Sequence, residues 1–160
     1  MNEALTLLGK SGVTKPARLL ETFKSPGVRT VSFETGEVYS RCPVTGQPDF
    51  SEVNITYQPE ELCVESKSLK LFLQAFADTA MFVEAMAVHI ATHVAESTGA
   101  SLVRVQVTQG VRGGIETGAM HEIIVAESTR LYREATGAHR EPGVVFATVT
   151  EKLEMIGESK

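Results

Sequence analysis

The spacing of apolar residues changes period twice along this chain, and that change restricts the fold more than any other feature. Val28 to Glu34 (VRTVSFE) and Ser51 to Tyr57 (SEVNITY) alternate apolar and polar residues, with Val31 and Phe33 in the first and Val53, Ile55 and Tyr57 in the second. A strand turns successive side chains to opposite faces, so both stretches read as half-buried strands. The period then lengthens. Leu69, Phe72, Leu73 and Phe76 fall at i, i+3, i+4 and i+7, and Val83, Met86, Ala87, Ile90 and Val94 repeat the pattern, which is the stripe of an amphipathic helix. Asp78 and Thr79 lie between the two stripes and are candidate caps for the second helix. Alternation returns at Leu102 to Thr108 (LVRVQVT), with Val103, Val105 and Val107 on one face and Arg104 and Gln106 on the other. A further strand is expected near Met120 to Ala126, a short helix around Thr129 to Ala135 and a strand at Gly143 to Thr150. Strand pair, helix pair, strand pair is an α+β order, with antiparallel hairpins and helices covering one face.

Composition narrows the function classes. At 160 residues and 42% hydrophobic, the chain can bury the core of one domain, taken here as residues 1–160. No apolar stretch approaches the roughly 20 residues of a membrane helix. The start, MNEALTLLGKSG, lacks a basic leader and a small-residue cleavage site, so a cytoplasmic location is expected. Cys42 and Cys63, the two cysteines, then read as reduced thiols. A net charge of −5 without a long basic run gives no electrostatic footprint for direct nucleic-acid binding. His89 and His93 stand one helical turn apart, but HIATH lacks the glutamate of HExxH, so no metal is expected. His121 and His139 receive no role.

The stretch SRCPVTGQPDF, Ser40 to Phe50, joins the first two strands. Pro43 and Pro48 fix backbone angles and Gly46 tolerates positive φ, which suits a stiff connection. Such a turn can fold Asp49 toward Cys42 and so preorganise a nucleophile beside an acid or base. Alternatively, Cys42 is a small buried apolar residue and Asp49 a turn residue bonding its own backbone. On spacing alone this second reading is favoured, because such arrangements are common in loops.

CPVTGQPDF at Cys42 to Phe50, followed by VESKSLKLF at Val64 to Phe72, resembles the motif pair of the NADPH-dependent 7-cyano-7-deazaguanine reductases, the nitrile reductases of the queuosine pathway. The motifs come in the same order, and TLLGKSG at Thr6 to Gly12 and RGGI at Arg112 to Ile115 resemble further family segments. The resemblance spans Leu5 to Glu116 and leaves residues 117–160 unmatched.

The resemblance implies a tunnelling fold, in which strand pairs flank two helices and subunits join edge to edge into stacked rings with sites between them. It implies that Cys42 attacks the nitrile carbon to form a thioimide while Asp49 protonates the nitrile nitrogen, an acid that would have to hold its proton at neutral pH. Glu65, with Ser66 beside it, and Glu84 match the positions that recognise the deazaguanine ring. Lys67, Ser68 and Lys70, and with them Arg112, fall in segments associated with NADPH. No GxGxxG opens a helix after a strand, so the cofactor would lie on a non-Rossmann surface.

One position departs from the family. Where the reductases carry Phe-His-Glu, this chain has Phe82, Val83 and Glu84. Valine offers no protic group, and Val83 falls on the apolar stripe. The departure keeps two other functions open: an amidine-forming relative in which ammonia resolves the thioimide on the base in nucleic acid, and a tunnelling-fold protein that binds the base without reducing it.

Overall fold

The computed structural model describes residues 19–125. The elements run β1 (Thr22–Lys24), β2 (Val31–Arg41), β3 (Pro48–Gln58), β4 (Leu62–Val64), α1 (Ser66–Gln74), a 3₁₀ turn (Ala75–Asp78), α2 (Val83–Thr98), β5 (Leu102–Arg112) and β6 (Ile115–Ile124). Four antiparallel strands form one sheet in the order β2-β3-β5-β6, and β1 pairs with β4 in a separate ribbon. The helical segment lies across one face of the large sheet, so only that face carries apolar residues in register.

The expected periodicities become the core. Val53, Ile55 and Tyr57 of β3 and Val103, Val105 and Val107 of β5 meet Leu69, Phe72, Leu73 and Phe76 and the α2 stripe Val83, Met86, Ala87, Ile90 and Val94, all buried. Val83 is thus a packing residue. Gly99 closes α2 in the left-handed conformation, the usual role of glycine just past a helix.

Several boundaries differ from the sequence expectation. The first strand begins at Val31 and runs on to Arg41, and β3 takes in Pro48 and Asp49, so the connection between them is short. The last strand starts at Ile115, earlier than Met120. Gly113 and Gly114, at φ 58° and 82°, are the two central residues of a tight hairpin between Arg112 and Ile115, a turn that demands positive φ twice. Asp78 and Thr79 do not cap α2. They end the 3₁₀ turn, where the Thr79 hydroxyl donates to the Ala75 carbonyl at 3.2 Å, and Phe82 occupies the α2 N-cap without a side-chain bond. The three-residue strands β1 and β4 are too short to show a period. The expected helix at 129–135 and strand at 143–150, and the TLLGKSG segment, lie outside the described residues.

Two bulges set which residues face inward. Between Thr35 and Val38, β2 advances three residues while β3 advances two, from Val53 to Ser51. An extra residue in one strand reverses its alternation. Before the bulge Val31 and Phe33 point inward; after it Val38, Ser40 and then Cys42 do. β5 repeats the device between Gln109 and Arg112, which turns Arg112 to the side of β3 that carries Asp49.

Candidate active site

The inward corner where β2 ends and β3 begins is polar. Cys42, 8% exposed, and the side chains of Ser40 and Asp49, residues 1% and 2% exposed, are buried there. The connection is closed by the Cys42 N–H donating to the Gln47 carbonyl at 2.8 Å and the Gly46 N–H donating to the Cys42 carbonyl at 2.9 Å. Gly46 takes positive φ, 69°, as this tight return requires. Arg41 lies in a bridge with Ala80: its N–H donates to Thr79 at 2.9 Å and its carbonyl accepts from Met81 at 3.1 Å. The stretch leading into α2 is thereby held against the end of β2.

Within this corner the Cys42 thiol is lowered to about 7, first by the Thr45 hydroxyl, then by the backbone N–H groups of Thr45 and Val44, with Arg112 a smaller contributor. Donors aimed at sulfur stabilise the thiolate, which is the nucleophilic form. Thr45 is held for this by accepting from the Gln47 N–H at 3.3 Å. Arg112 also forms an ion pair with Asp49, so one guanidinium serves both the thiol and the carboxylate. Asp49 was expected as an acid kept protonated by burial; the structure buries it but gives it a cation. Among the described residues neither Ser40 Oγ nor Asp49 Oδ1 has an aligned hydrogen bond, although the two residues face each other in register across β2 and β3.

The other expected site residues gather elsewhere. Glu65 is buried and caps α1, accepting from the Lys67 N–H at 2.9 Å and the Ser68 N–H at 2.7 Å; Ser66 Oγ approaches the same carboxylate at 3.5 Å. Each cap bond satisfies a helix donor that has no intrahelical partner. Ser68 is not at the surface. Its hydroxyl accepts from the Glu21 N–H at 2.6 Å and donates to the Leu19 carbonyl at 3.4 Å, which ties the chain entering β1 to α1 and takes this side chain away from a cofactor contact. Lys70 is exposed and Lys67 half-buried on the same first turns. Glu84 is exposed in the first turn of α2, three residues beyond the Met81 bond to Arg41.

The structure does not bring these two groups together within one chain. Tyr57 lies eight residues along β3 from Asp49, a rise of about 25 Å, and its hydroxyl accepts from the Val64 N–H at 2.8 Å, beside Glu65. Along the helical side, α1 and the 3₁₀ turn between Glu65 and Thr79 together span about 20 Å. Both routes place Glu65, Lys67 and Lys70 at the end of the sheet opposite Cys42.

His89 and His93 stack 4.1 Å apart between centroids and against Phe72, with His93 Nδ1 2.9 Å from the His89 carbonyl. They pack α2 against α1. No group of three or more metal-ligating side chains occurs among the described residues.

Ser40 and Thr45 escaped the sequence reading. Gly36 and Gly110, isolated in strand patterns, were the available signs of the bulges that aim Ser40 and Arg112 inward; Thr45 carried no comparable sign.

An antiparallel four-stranded sheet backed by two consecutive helices, with a thiol and a carboxylate at the entry to β3, defines a tunnelling-fold protein. A solved structure described as the archaeosine synthase QueF-Like in the apo form shares this fold, with a TM-score of 0.57 at 24% identity over 62% of this chain and 95% of that one. The family model for QueF-like protein matches residues 48–128, and the chain belongs to that family. Among curated relatives, the NADPH-dependent 7-cyano-7-deazaguanine reductase of Anaeromyxobacter sp. (strain Fw109-5) is 42% identical over 107 residues, 65% of this chain and 88% of the relative. The protein of the same name from Alkalilimnicola ehrlichii is 36% identical over 133 residues, 81% of this chain and 91% of the relative.

Proposed function

We propose that this chain is an NADPH-dependent nitrile reductase that converts 7-cyano-7-deazaguanine to the aminomethyl base through a thioimide on Cys42. The observation that carries the reading is the lowered thiol of Cys42 at the same buried corner as Asp49, joined to it by Arg112. At about 7 a large share of the thiol is ionised at neutral pH, whereas a cysteine near 8.5 is only a few per cent ionised.

The Asp49–Arg112 pair suits a carrier better than a standing acid. The net addition places sulfur on the nitrile carbon and hydrogen on the nitrogen. Asp49, paired with the Arg112 guanidinium, takes the thiol proton and hands it to the nitrogen as the sulfur–carbon bond forms. No free nitrogen anion then arises. NADPH supplies the hydrides that reduce the adduct. Lys67 and Lys70 offer ammonium groups for its phosphates, whereas the α1 N-terminus itself is closed to anions by the Glu65 carboxylate.

Because Glu65 and Cys42 sit at opposite ends of one subunit, a bicyclic base touching both must lie between two subunits. Among the described residues, neither outer strand, β2 nor β6, has a partner on its outer edge, and free edges invite pairing with a neighbour. We place the ring-recognising Glu65 and Ser66 on one subunit and Cys42, Asp49 and Glu84 on the next, in a cytoplasmic homo-oligomer.

The test is purified protein with the nitrile base, followed by mass for an adduct on Cys42 and by absorbance for NADPH oxidation. Both signals are expected in wild type and neither in Cys42→Ala. Val83 favours a second reading, since that buried valine supplies no proton for the reduction: ammonia would resolve the same thioimide to an amidine on the base within nucleic acid. An adduct that resists NADPH and yields to ammonia would select it.

A further inference from the structure

We propose that Ser40 is a positioning residue for Asp49, a role that rests on the thioimide reading above. A hydroxyl buried without a partner is costly and uncommon. Among the described residues Ser40 Oγ is such a group, in a residue 1% exposed, and the residue across from it in register is Asp49, whose Oδ1 is ion-paired with Arg112 but has no aligned hydrogen bond. Both side chains are buried on the inward side of the sheet, where the β2 bulge turns Ser40, two residues before Cys42.

The chemistry explains why a second partner is needed beside Arg112. Asp49 passes through two states as it carries the proton. When it holds the thiol proton, its neutral carboxyl must keep the O–H directed at the nitrile nitrogen. When the sulfur–carbon bond has formed and the proton has gone to nitrogen, the charge returns to Asp49. A guanidinium has donors only and a fixed positive charge, so Arg112 pairs best with the charged state. A serine hydroxyl both donates and accepts, so Ser40 holds the carboxyl in either state. A donor unpaired at rest and engaged only while the carboxyl carries and releases the proton favours the transition state over the ground state.

The experiment compares wild type, Ser40→Ala and Ser40→Thr in the full chain, reading the rate of adduct formation on Cys42 with the nitrile base across pH, Cys42 alkylation by iodoacetamide, and Tm. Ser40→Ala is expected to slow adduct formation about tenfold or more and to shift its pH profile. It should alkylate as wild type does and melt at the same or a higher temperature, because an orphaned hydroxyl has been removed. Ser40→Thr keeps the hydroxyl and should recover most of the rate. Wild-type rate and pH profile in Ser40→Ala would overturn the proposal while leaving the thioimide reading intact. Slow adduct formation in both variants, together with lowered Tm, would assign Ser40 to packing and overturn it too. A wild type that alkylates but forms no adduct would overturn both.

Discussion

Thr45 and Tyr57 each use one hydroxyl, and each makes a prediction. Thr45 is the largest influence lowering the Cys42 thiol, so Thr45→Val removes a donor from the sulfur and raises the pKa above its present value of about 7. The pH dependence of Cys42 alkylation should therefore inflect near 7 in wild type and move toward higher pH in the variant. An unmoved inflection would show that the backbone N–H groups alone set the thiolate. Tyr57 Oη accepts from the Val64 N–H in the core, and burial pushes its phenol up to about 12. Tyr57→Phe leaves that N–H buried without an acceptor, which costs about 1–3 kcal/mol. Urea unfolding measures it, and a loss below a few tenths would mean water replaces the phenol.

At the scale of elements, the α1–α2 contact carries a titration. Burial, and then the neighbouring His93, lowers His89 below the usual histidine value of 6.5. The unfolded chain then binds a proton that the folded one resists, so this contribution is complete above 6.5 and is lost as pH falls through the folded value. His89→Gln should flatten the acid side of the stability curve relative to wild type, as thermal unfolding between pH 5 and pH 8 would show; parallel curves would refute it. The same elements show what could be read from sequence. Helix stripes and strand alternation reached the core because burial acts on every residue of a face, and Leu69 through Val94 and Val103 through Val107 carry that pattern openly. The bulges did not, because one extra residue in β2 or β5 alters a phase without altering composition. Cys42 and Asp49 were legible as a pair, whereas Arg112 meets them only through a register shift far along the chain. Glu65 was legible as a carboxylate but not as a cap, since the α1 boundary had to be known first.

At the scale of the whole molecule, the separation of Glu65 from Cys42 decides what kind of assembly can work. Two routes through one subunit, along β3 and along α1, place them about 20–25 Å apart, beyond the span of a bicyclic base. A site using both must draw Cys42 from one subunit and Glu65 from its neighbour. Cys42→Ala removes the proposed nucleophile. Glu65→Gln removes the charge proposed to recognise the ring while keeping an acceptor for the α1 cap, and each variant alone should be inactive. Unfolded and refolded together in equal amounts, they form mixed oligomers in which some interfaces pair the intact Cys42 of one chain with the intact Glu65 of the other. Random assembly makes about a quarter of the sites whole, so NADPH oxidation should return to about that fraction of wild type. Mixing without unfolding should restore little if the oligomer exchanges slowly, which separates subunit sharing from simple addition of residual activities. Failure to recover after co-refolding, with mixed oligomers confirmed by native mass spectrometry, would refute the sharing of one site by two subunits. Full activity in Glu65→Gln alone would place Glu65 outside the site, and its burial and its two cap bonds would then be its whole function.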